Sequence, residues 1–152
     1  MFSSKSSEWS TPQSFYDKLN NMFKFTLDVC ASELNHKCEK YFDINKNGLE
    51  QKWNEDICFM NPPYGRGINK WIEKAYKESL EGATVVCLIP ARVDSRWAQD
   101  YCLTKAKEVY FVRGRLKFGD DTNGVINSAP FPSMVCVFQK HDGDTKFYCM
   151  DR

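Results

Sequence analysis

The sequence predicts an α/β domain built on a largely parallel β-sheet. Short apolar runs, typical of buried strands, alternate along the chain with segments whose apolar residues recur at helical spacing. One run, residues 83–89, is apolar almost throughout, as expected of a strand that is buried on both faces. The 152 residues are enough for one domain of ordinary size. We therefore expect a flexible N-terminus over residues 1–7 and a single domain over residues 8–152.

The first half of the chain predicts an amphipathic helix, two short strands and a polar segment between the strands. Residues 10–12, Ser-Thr-Pro, predict a helix start with a hydroxyl cap and a proline in the first turn. Four apolar residues then follow at helical spacing: Phe15, Leu19, Met22 and Phe23. The strands are predicted at residues 25–29 and at Ile57–Met60, and a proline pair ends the second because proline has no hydrogen-bond donor. Residues 31–52 are polar and predict one short helix and a loop.

The second half of the chain predicts two helices and three strands. A helix over Ile68–Leu80 is closed by Gly82, and Trp71 on its apolar face is expected in the core. A further helix is predicted over residues 97–102. The three strands are predicted at residues 83–89, 109–112 and 134–138. The segment 119–133 is rich in Gly, Asn and Pro and predicts a long loop.

Composition excludes several classes of protein. Lys plus Arg number 21 and Asp plus Glu 20, so the net charge of +1 excludes a strongly basic nucleic-acid coat. The seven cysteines include no C-x-x-C pair, which favours reduced thiols over disulfides or a zinc site. No charged start precedes an apolar stretch, and no apolar run approaches the ~20 residues of a membrane span. We expect a cytoplasmic protein with no metal and no membrane partner.

Three polar segments follow predicted strands, at residues 28–32, 61–66 and 91–94. Ligands of parallel α/β sheets bind outside the carboxyl ends of the strands, where these segments would meet. The sequence therefore predicts one crevice that is bordered by an acidic strand end, an Asn-Pro-Pro-Tyr corner and a Pro-Ala-Arg turn.

The Asn61-Pro62-Pro63-Tyr64 corner carries the sharpest chemical prediction. The lone pair of an adenine amine is delocalised into the ring, and two acceptors aimed at its N–H bonds would draw that pair out. The Asn61 side-chain oxygen and the Pro62 carbonyl are such acceptors, and the prolines fix the backbone beforehand. Tyr64 then offers an aromatic face to a flipped base. The alternative is a stiff turn, although composition alone gives this pattern with a probability below about 1%.

Several motifs in this order resemble the phage-type DNA N-6-adenine methyltransferases, small enzymes that use S-adenosylmethionine. The resemblance spans residues 8 to 139 and rests on seven segments. These are residues 8–13, 27–32, 61–66, Lys70-Trp71, 88–92, 114–118 and 129–133. It implies a compact Rossmann-like methyltransferase fold, with a mostly parallel, reduced sheet flanked by helices. It also implies a single methyltransferase domain over residues 8–152.

The resemblance also implies roles for individual residues. The catalytic loop would comprise Asn61, Pro62, Pro63 and Tyr64. The S-adenosylmethionine contacts would come from Thr11, Pro12, Asp28, Cys30, Ala31 and Asn61. Ala31 and Ser32 depart from the glycines that usually let a cofactor approach the backbone. No second strand ends in a clear acidic residue for the ribose, and Asp43 and Glu55 are the candidates.

Six cations are candidates for contact with double-stranded DNA: Arg66, Arg92, Arg96, Arg113, Arg115 and Lys117. The last three alternate along the chain and would share one face of a strand, although a solvated strand edge is the alternative. Within the long loop, Asn123, Asn127 and Ser128 can read base edges, or the loop is simply mobile. Phe118 and Phe131, which flank it, either wedge into a duplex or pack.

Three functions stay open at this point. The first is methylation of adenine in DNA by a cytoplasmic enzyme, in the host cytoplasm if the gene is a phage's, with a homodimer possible. The second is a methyltransferase acting on RNA or on a protein glutamine, because Asn-Pro-Pro-Tyr identifies the target atom but not the polymer. The third is a catalytically silent nucleic-acid-binding module of the same fold, which the altered glycine motif suggests.

Overall fold

The computed structural model describes residues 10–120 and 125–152, with backbone alone over the described part of residues 119–127. Two α-helices span Gln13–Phe23 (α1) and Ile68–Leu80 (α2). Gly48–Glu50 forms a 3₁₀ turn and Ala98–Cys102 a π-helical turn. The strands are, in order, β1 (Leu27–Asp28), β2 (Ile57–Met60), β3 (Thr84–Pro90), β4 (Glu108–Val112), β5 (Lys117–Asp120), β6 (Val125–Ser128), β7 (Ser133–Phe138) and β8 (Lys146–Met150).

Six strands form one sheet in the order β1-β2-β3-β7-β4-β8, and β5 pairs with β6 in a separate hairpin. β1, β2 and β3 are parallel neighbours, β7 runs antiparallel to β3 and β4, and β8 is parallel to β4. All strands of this sheet except β7 therefore point the same way. This confirms the predicted α/β class with a mostly parallel sheet, and it places the carboxyl ends of five strands on one edge.

The core lies on both faces of the sheet. On one face α1 buries Phe15 and Leu19 in a cluster that includes Val86 and Leu88 of β3. On the other face α2 buries Ile72 in a cluster that includes the alternating residues of the same strand. Because β3 contributes to both clusters, it must be apolar at nearly every position, which explains the continuous apolar run.

The structure corrects two predictions in the first half of the chain. α1 begins at Gln13 with Pro12 as the cap residue, and no side chain caps it. The Thr11 hydroxyl is instead within hydrogen-bond distance of the Asn61 side chain. β1 is only Leu27–Asp28, shorter than the predicted strand. Ile57–Met60 and Ile68–Leu80 are confirmed with the predicted bounds.

The second half of the chain departs further from the predictions. The helix expected over residues 97–102 is largely the short π-helical turn. The loop expected over residues 119–133 is wrong in its first part, where β5 and β6 form an antiparallel hairpin. Arg113 and Arg115 lie in the turn after β4 and only Lys117 starts a strand, so the three do not share a strand face. β8 was not predicted, because four of its five residues are exposed and give no apolar pattern.

The seven cysteines are all free thiols, and four of them are buried: Cys58, Cys87, Cys102 and Cys136. Burial raises the pKa of the Cys87 thiol well above its usual range. Among residues 10–120 and 125–152, no helix is long and apolar enough to cross a membrane.

Candidate active site

A cavity of about 320 Å³ opens at the carboxyl ends of β1 and β2. Its volume falls within the usual range for small-molecule sites. Asp28 and the residues after it form one wall, Asn61 and Pro63 another, and Thr11 enters from the segment before α1. A third wall comes from the irregular chain between β1 and β2, including Phe42 and Asp43.

The carboxylate of Asp28 is the buried charge of this cavity. The residue is 3% exposed, and its carboxylate accepts backbone N–H bonds from Lys37 at 2.9 Å and from Cys30 at 3.4 Å. Burial raises its pKa to about 6, against the opposing effect of these bonds and of the charges of Lys37 and His36. A buried carboxylate with a raised pKa gains most from a cationic ligand, because the ligand would stabilise its ionised form.

Asn61 is the first residue after β2, and both ends of its carboxamide make hydrogen bonds. Nδ2 donates to the Thr11 hydroxyl at 2.9 Å. Oδ1 accepts from the Tyr64 hydroxyl at 2.9 Å. The side chain is half-buried and lines the cavity, so its carboxamide is held at the cavity wall.

Tyr64 is buried beneath the proline corner. It is 8% exposed, its hydroxyl lies 3.4 Å from the Leu88 carbonyl, and burial raises the pKa of its phenol. The ring packs edge-to-face against Phe131, with centroids 5.3 Å apart, and against Phe118 at 6.3 Å. In this conformation the ring face predicted to receive a base is covered by the protein. Phe118 is buried and Phe131 half-buried, so both pack here.

Gly48 allows the close packing of one cavity wall. A Cβ atom at this position would lie 2.2 Å from the Val29 carbonyl oxygen and 3.2 Å from the Trp71 ring. The Gly48 carbonyl accepts a 2.9 Å hydrogen bond from the indole N–H of buried Trp53. Trp71, expected in the core, is instead half-buried and lines the cavity. Only glycine, which has no Cβ atom, lets the backbone at residue 48 come this close to the Val29 backbone and the Trp71 indole.

The structure brings most of the predicted cofactor residues to one place. Five of the six line the cavity: Thr11, Asp28, Cys30, Ala31 and Asn61. Pro12 caps α1 and does not line it. Asp43, a ribose candidate, lines the cavity, whereas Glu55 lies before the start of β2 at the opposite edge of the sheet. Residues 91–94 follow β3 at the correct edge but do not line the cavity.

Sequence reasoning named Ala31, Ser32 and Asp43 from residues 31–52 but missed the rest of this part of the site. Asn35, Phe42, Asn47 and Gly48 also line the cavity, and none was given a role in it. The Asn47-Gly48 pair was the available signal, because Asn47 adopts a positive φ of 53° and its side chain accepts from the Leu49 N–H. In the described part of the chain, no group of three or more His, Cys, Asp or Glu residues can hold a metal ion.

The six predicted DNA-contacting cations are all exposed. Arg66 follows β2, Arg92 and Arg96 follow β3, and Arg113 and Arg115 follow β4. Because these three strands are mutually parallel, their ends place the cations along one edge of the sheet. Arg115 donates to the Ala129 carbonyl at 3.4 Å, and Arg113 lies 3.8 Å from the Asp151 carboxylate in an exposed ion pair.

The fold and this cavity, with an Asn-Pro-Pro-Tyr corner at its wall, are compatible with the Rossmann-like methyltransferase class. The chain belongs to the DNA N-6-adenine-methyltransferase (Dam) family, which it matches over residues 2–150. This confirms the resemblance found from the sequence. It also confirms the predicted enzyme class, an adenine-specific DNA methyltransferase.

Two phage relatives carry the same name. The DNA N-6-adenine-methyltransferase of Haemophilus phage HP1 (strain HP1c1) is 30% identical over 135 residues, which cover 86% of this chain and 78% of the relative. The DNA N-6-adenine-methyltransferase of Escherichia phage T1 is 29% identical over 117 residues, which cover 76% of this chain and 48% of the relative. The chain therefore matches most of the first relative and about half of the second.

Proposed function

We propose that this protein transfers a methyl group from S-adenosylmethionine to the exocyclic amine of adenine in DNA, with the base flipped against the Asn61–Tyr64 corner. The observation that carries the proposal is the position of Asn61. Its carboxamide lies in the wall of the cavity that also contains the buried carboxylate of Asp28. Methyl transfer to an amine needs a group that binds the amine next to a group that binds the methyl donor, and Asn61 and Asp28 would be these two groups.

The residues of the cavity suit S-adenosylmethionine. Asp28 would hold its ammonium group, and Asp43 with Asn47 would hold the ribose hydroxyls. Phe42 and Trp71 provide apolar surface for its adenine ring. When bound, this cofactor supplies a methyl group on a sulfonium centre. Thr11, Cys30 and Ala31 complete the wall, as the family resemblance implied.

The Asn-Pro-Pro-Tyr corner would prepare the amine for attack. Asn61 Oδ1 and the Pro62 carbonyl accept its two N–H bonds, and Pro63 holds the backbone between them rigid. Both acceptors draw electron density toward the amine nitrogen, which restores its nucleophilicity. The Tyr64 hydroxyl now on Asn61 Oδ1 must share this oxygen with the amine or leave it. The methylated amine would lose one proton to solvent, and the sulfonium donor would be left as a neutral thioether.

The exposed cations at the sheet edge would hold double-stranded DNA over the cavity. A chain with a net charge of +1 must bind phosphates through local patches. Exposed Arg66, Arg92, Arg96, Arg113, Arg115 and Lys117 would form such a patch. The β5–β6 hairpin rises from the same edge, between β4 and β7, and ends at exposed Ser128. It is our candidate for base reading; Asn123 lies outside the described residues.

A homodimer and a cytoplasmic location complete the proposal. Within the described residues β8 pairs with β4 alone, and Phe147 and Tyr148 are 50% and 42% exposed. This edge strand, whose one charged residue is Lys146, would pair with the same strand of a second copy. Sedimentation velocity tests this: Tyr148→Lys should yield monomers, whereas Leu34→Lys, which changes an exposed leucine elsewhere, should not.

A labelling assay with competing polymers tests the function. Purified protein receives S-adenosylmethionine labelled in the methyl group, together with duplex DNA, RNA and a glutamine-containing protein. We expect label in DNA as N6-methyladenine, lost in Asn61→Ala and kept in Asn21→Ala, which changes an exposed asparagine of α1. Label in RNA or protein alone would establish the second function. Absence of label with all three would favour the silent module.

A further inference from the structure

We infer that Thr11 is a positioning residue for methyl transfer, whose hydroxyl holds the Asn61 carboxamide with its oxygen toward the target amine. This inference rests on the proposed function and goes beyond the contact with the cofactor that the family resemblance implied. The geometry behind it is a single hydrogen bond of 2.9 Å between residues 50 positions apart in the chain.

The fold fixes Thr11 in place. The residue is 4% exposed, and it lies directly before the helix α1. The next residue is tied to that helix, because the Tyr16 N–H donates to the Pro12 carbonyl at 3.0 Å. α1 in turn buries Phe15 and Leu19 in the core. The Thr11 hydroxyl is therefore presented by a rigid segment and not by a mobile loop.

The hydroxyl of Thr11 does not serve the helix. A Ser or Thr at a helix start normally accepts a backbone N–H of the first turn, but α1 has no side-chain cap. The hydroxyl lies instead against Nδ2 of Asn61. Thr11 does not cap α1 and instead contacts the Asn61 carboxamide, 50 residues away in the chain, which indicates a role in the site.

The carboxamide of Asn61 needs such a partner. Rotation about its last torsion is soft, and the two ends of an amide are similar in shape but opposite in hydrogen bonding. An amide turned end for end would point N–H groups at the N–H groups of the target. When the amine replaces the Tyr64 hydroxyl at Oδ1, the Thr11 contact at Nδ2 remains and restrains the torsion of the carboxamide, while the N–H groups of the amine require its oxygen end.

The test compares Thr11→Val, which keeps the shape and removes the hydroxyl, with Thr11→Ser, which keeps the hydroxyl. We expect Thr11→Val to lower kcat at saturating DNA and S-adenosylmethionine by about tenfold to a hundredfold, as for a misaligned reacting group. The Kd for S-adenosylmethionine, from calorimetry, should change by a smaller factor than kcat, and Thr11→Ser should restore most of kcat.

A spectroscopic signal tests the hydrogen bond without catalysis. In ¹⁵N-labelled protein, the side-chain NH₂ signals of Asn61 are identified by their loss in Asn61→Ala. They should shift in Thr11→Val and return near their original positions in Thr11→Ser. If Thr11→Val does not fold, Thr11→Ala takes its place in both measurements.

Two results would overturn the inference. One is an unchanged kcat in Thr11→Val; the other is a raised Kd for S-adenosylmethionine with an unchanged kcat, which would make Thr11 a cofactor contact alone. Inactive wild-type protein would count against the proposed function instead. In that case the NH₂ signals still decide whether Thr11 holds Asn61, and unshifted signals in Thr11→Val would refute it.

Discussion

The Tyr64 hydroxyl donates a 2.9 Å hydrogen bond to Oδ1 of Asn61, the same oxygen that the proposed chemistry assigns to the target amine. Without DNA, the protein thus fills this acceptor with its own phenol. The ring is held at the same time by its edge-to-face contact with Phe131. Binding of a flipped base must therefore rearrange Tyr64, and its ring and hydroxyl have separable roles.

Tyr64→Phe and Tyr64→Ala separate these roles. Tyr64→Phe keeps the ring and frees the Asn61 oxygen, so we expect turnover close to wild type and a stability loss of about 1 kcal/mol from one hydrogen bond. Tyr64→Ala loses base stacking worth about 1–3 kcal/mol and should lower kcat about tenfold to a hundredfold. Steady-state kinetics on duplex DNA measures both. Equal inactivity of the two variants would show that the hydroxyl itself takes part in the reaction.

The raised pKa of Asp28 predicts that cofactor binding depends on pH. Its pKa of about 6 lies above the ordinary value of 3.8, mainly because of burial. A cationic ligand needs the ionised carboxylate, so affinity for S-adenosylmethionine should be complete above about pH 7 and fall as the pH drops through 6. Calorimetry from pH 5 to 8 measures this, and binding near pH 6 should release protons.

The same shift predicts the opposite trend for stability. A folded pKa above the unfolded value means that the contribution of Asp28 favours folding below pH 3.8 and is lost as the pH rises through about 6. Asp28→Asn should flatten both profiles and weaken cofactor binding. His36 and Lys37 lie near this carboxylate, and Tyr16 and Cys38 also face it, so His36→Gln is the control. Loss of the pH dependence in His36→Gln would assign it to the histidine.

Gly48 gives a stability prediction. In Gly48→Ala the new methyl group would lie 2.2 Å from the Val29 carbonyl oxygen, so the chain must shift at the cavity wall. We expect a loss of about 1–3 kcal/mol, as for other overpacked sites, with weaker binding of S-adenosylmethionine. Urea denaturation measures the loss. Gly67→Ala, where nothing lies within 4 Å of the added atom, should leave both properties nearly unchanged; an equal loss in both variants would contradict the account.

The sequence predicted the central layer of the fold well. Ile57–Met60 and Ile68–Leu80 were predicted with their bounds, and β3 to within one residue at each end, because burial imposes a strong apolar pattern on them. β8 escaped prediction because an exposed strand is stabilised by backbone pairing, which many side chains tolerate, and the hairpin escaped it because its Gly- and Asn-rich sequence indicates a loop.

The candidate site was predictable where one motif holds the chemistry and not where distant segments meet. Asn61 and Asp28 were found because each lies at the carboxyl end of an apolar strand. The Thr11–Asn61 contact joins segments 50 residues apart, and only the packing of α1 brings them together. The wall from residues 31–52 is irregular, so its members carry no periodic pattern.

The cations at the sheet edge predict salt-dependent DNA binding. Arg92→Ala and Arg113→Ala should each weaken DNA binding by about the same factor for all DNA sequences. Each should also reduce the slope of the logarithm of the binding constant against the logarithm of the salt concentration by about 1 per lost phosphate contact. Fluorescence anisotropy over a salt series measures the slope. Lys140→Ala is the matched control, because Lys140 is an exposed cation that follows β7 at the opposite edge. A control effect as large as that of the arginines would refute the proposed DNA surface.

Sequencing for modified bases tests the central claim most directly. Wild-type protein and Asn61→Ala are expressed in cells that lack their own adenine methylation, and the DNA is read for N6-methyladenine. We predict methylated adenines in a defined sequence context with the wild-type protein and none with Asn61→Ala. Unmodified DNA in the presence of folded wild-type protein, or equal methylation by both proteins, would contradict the account.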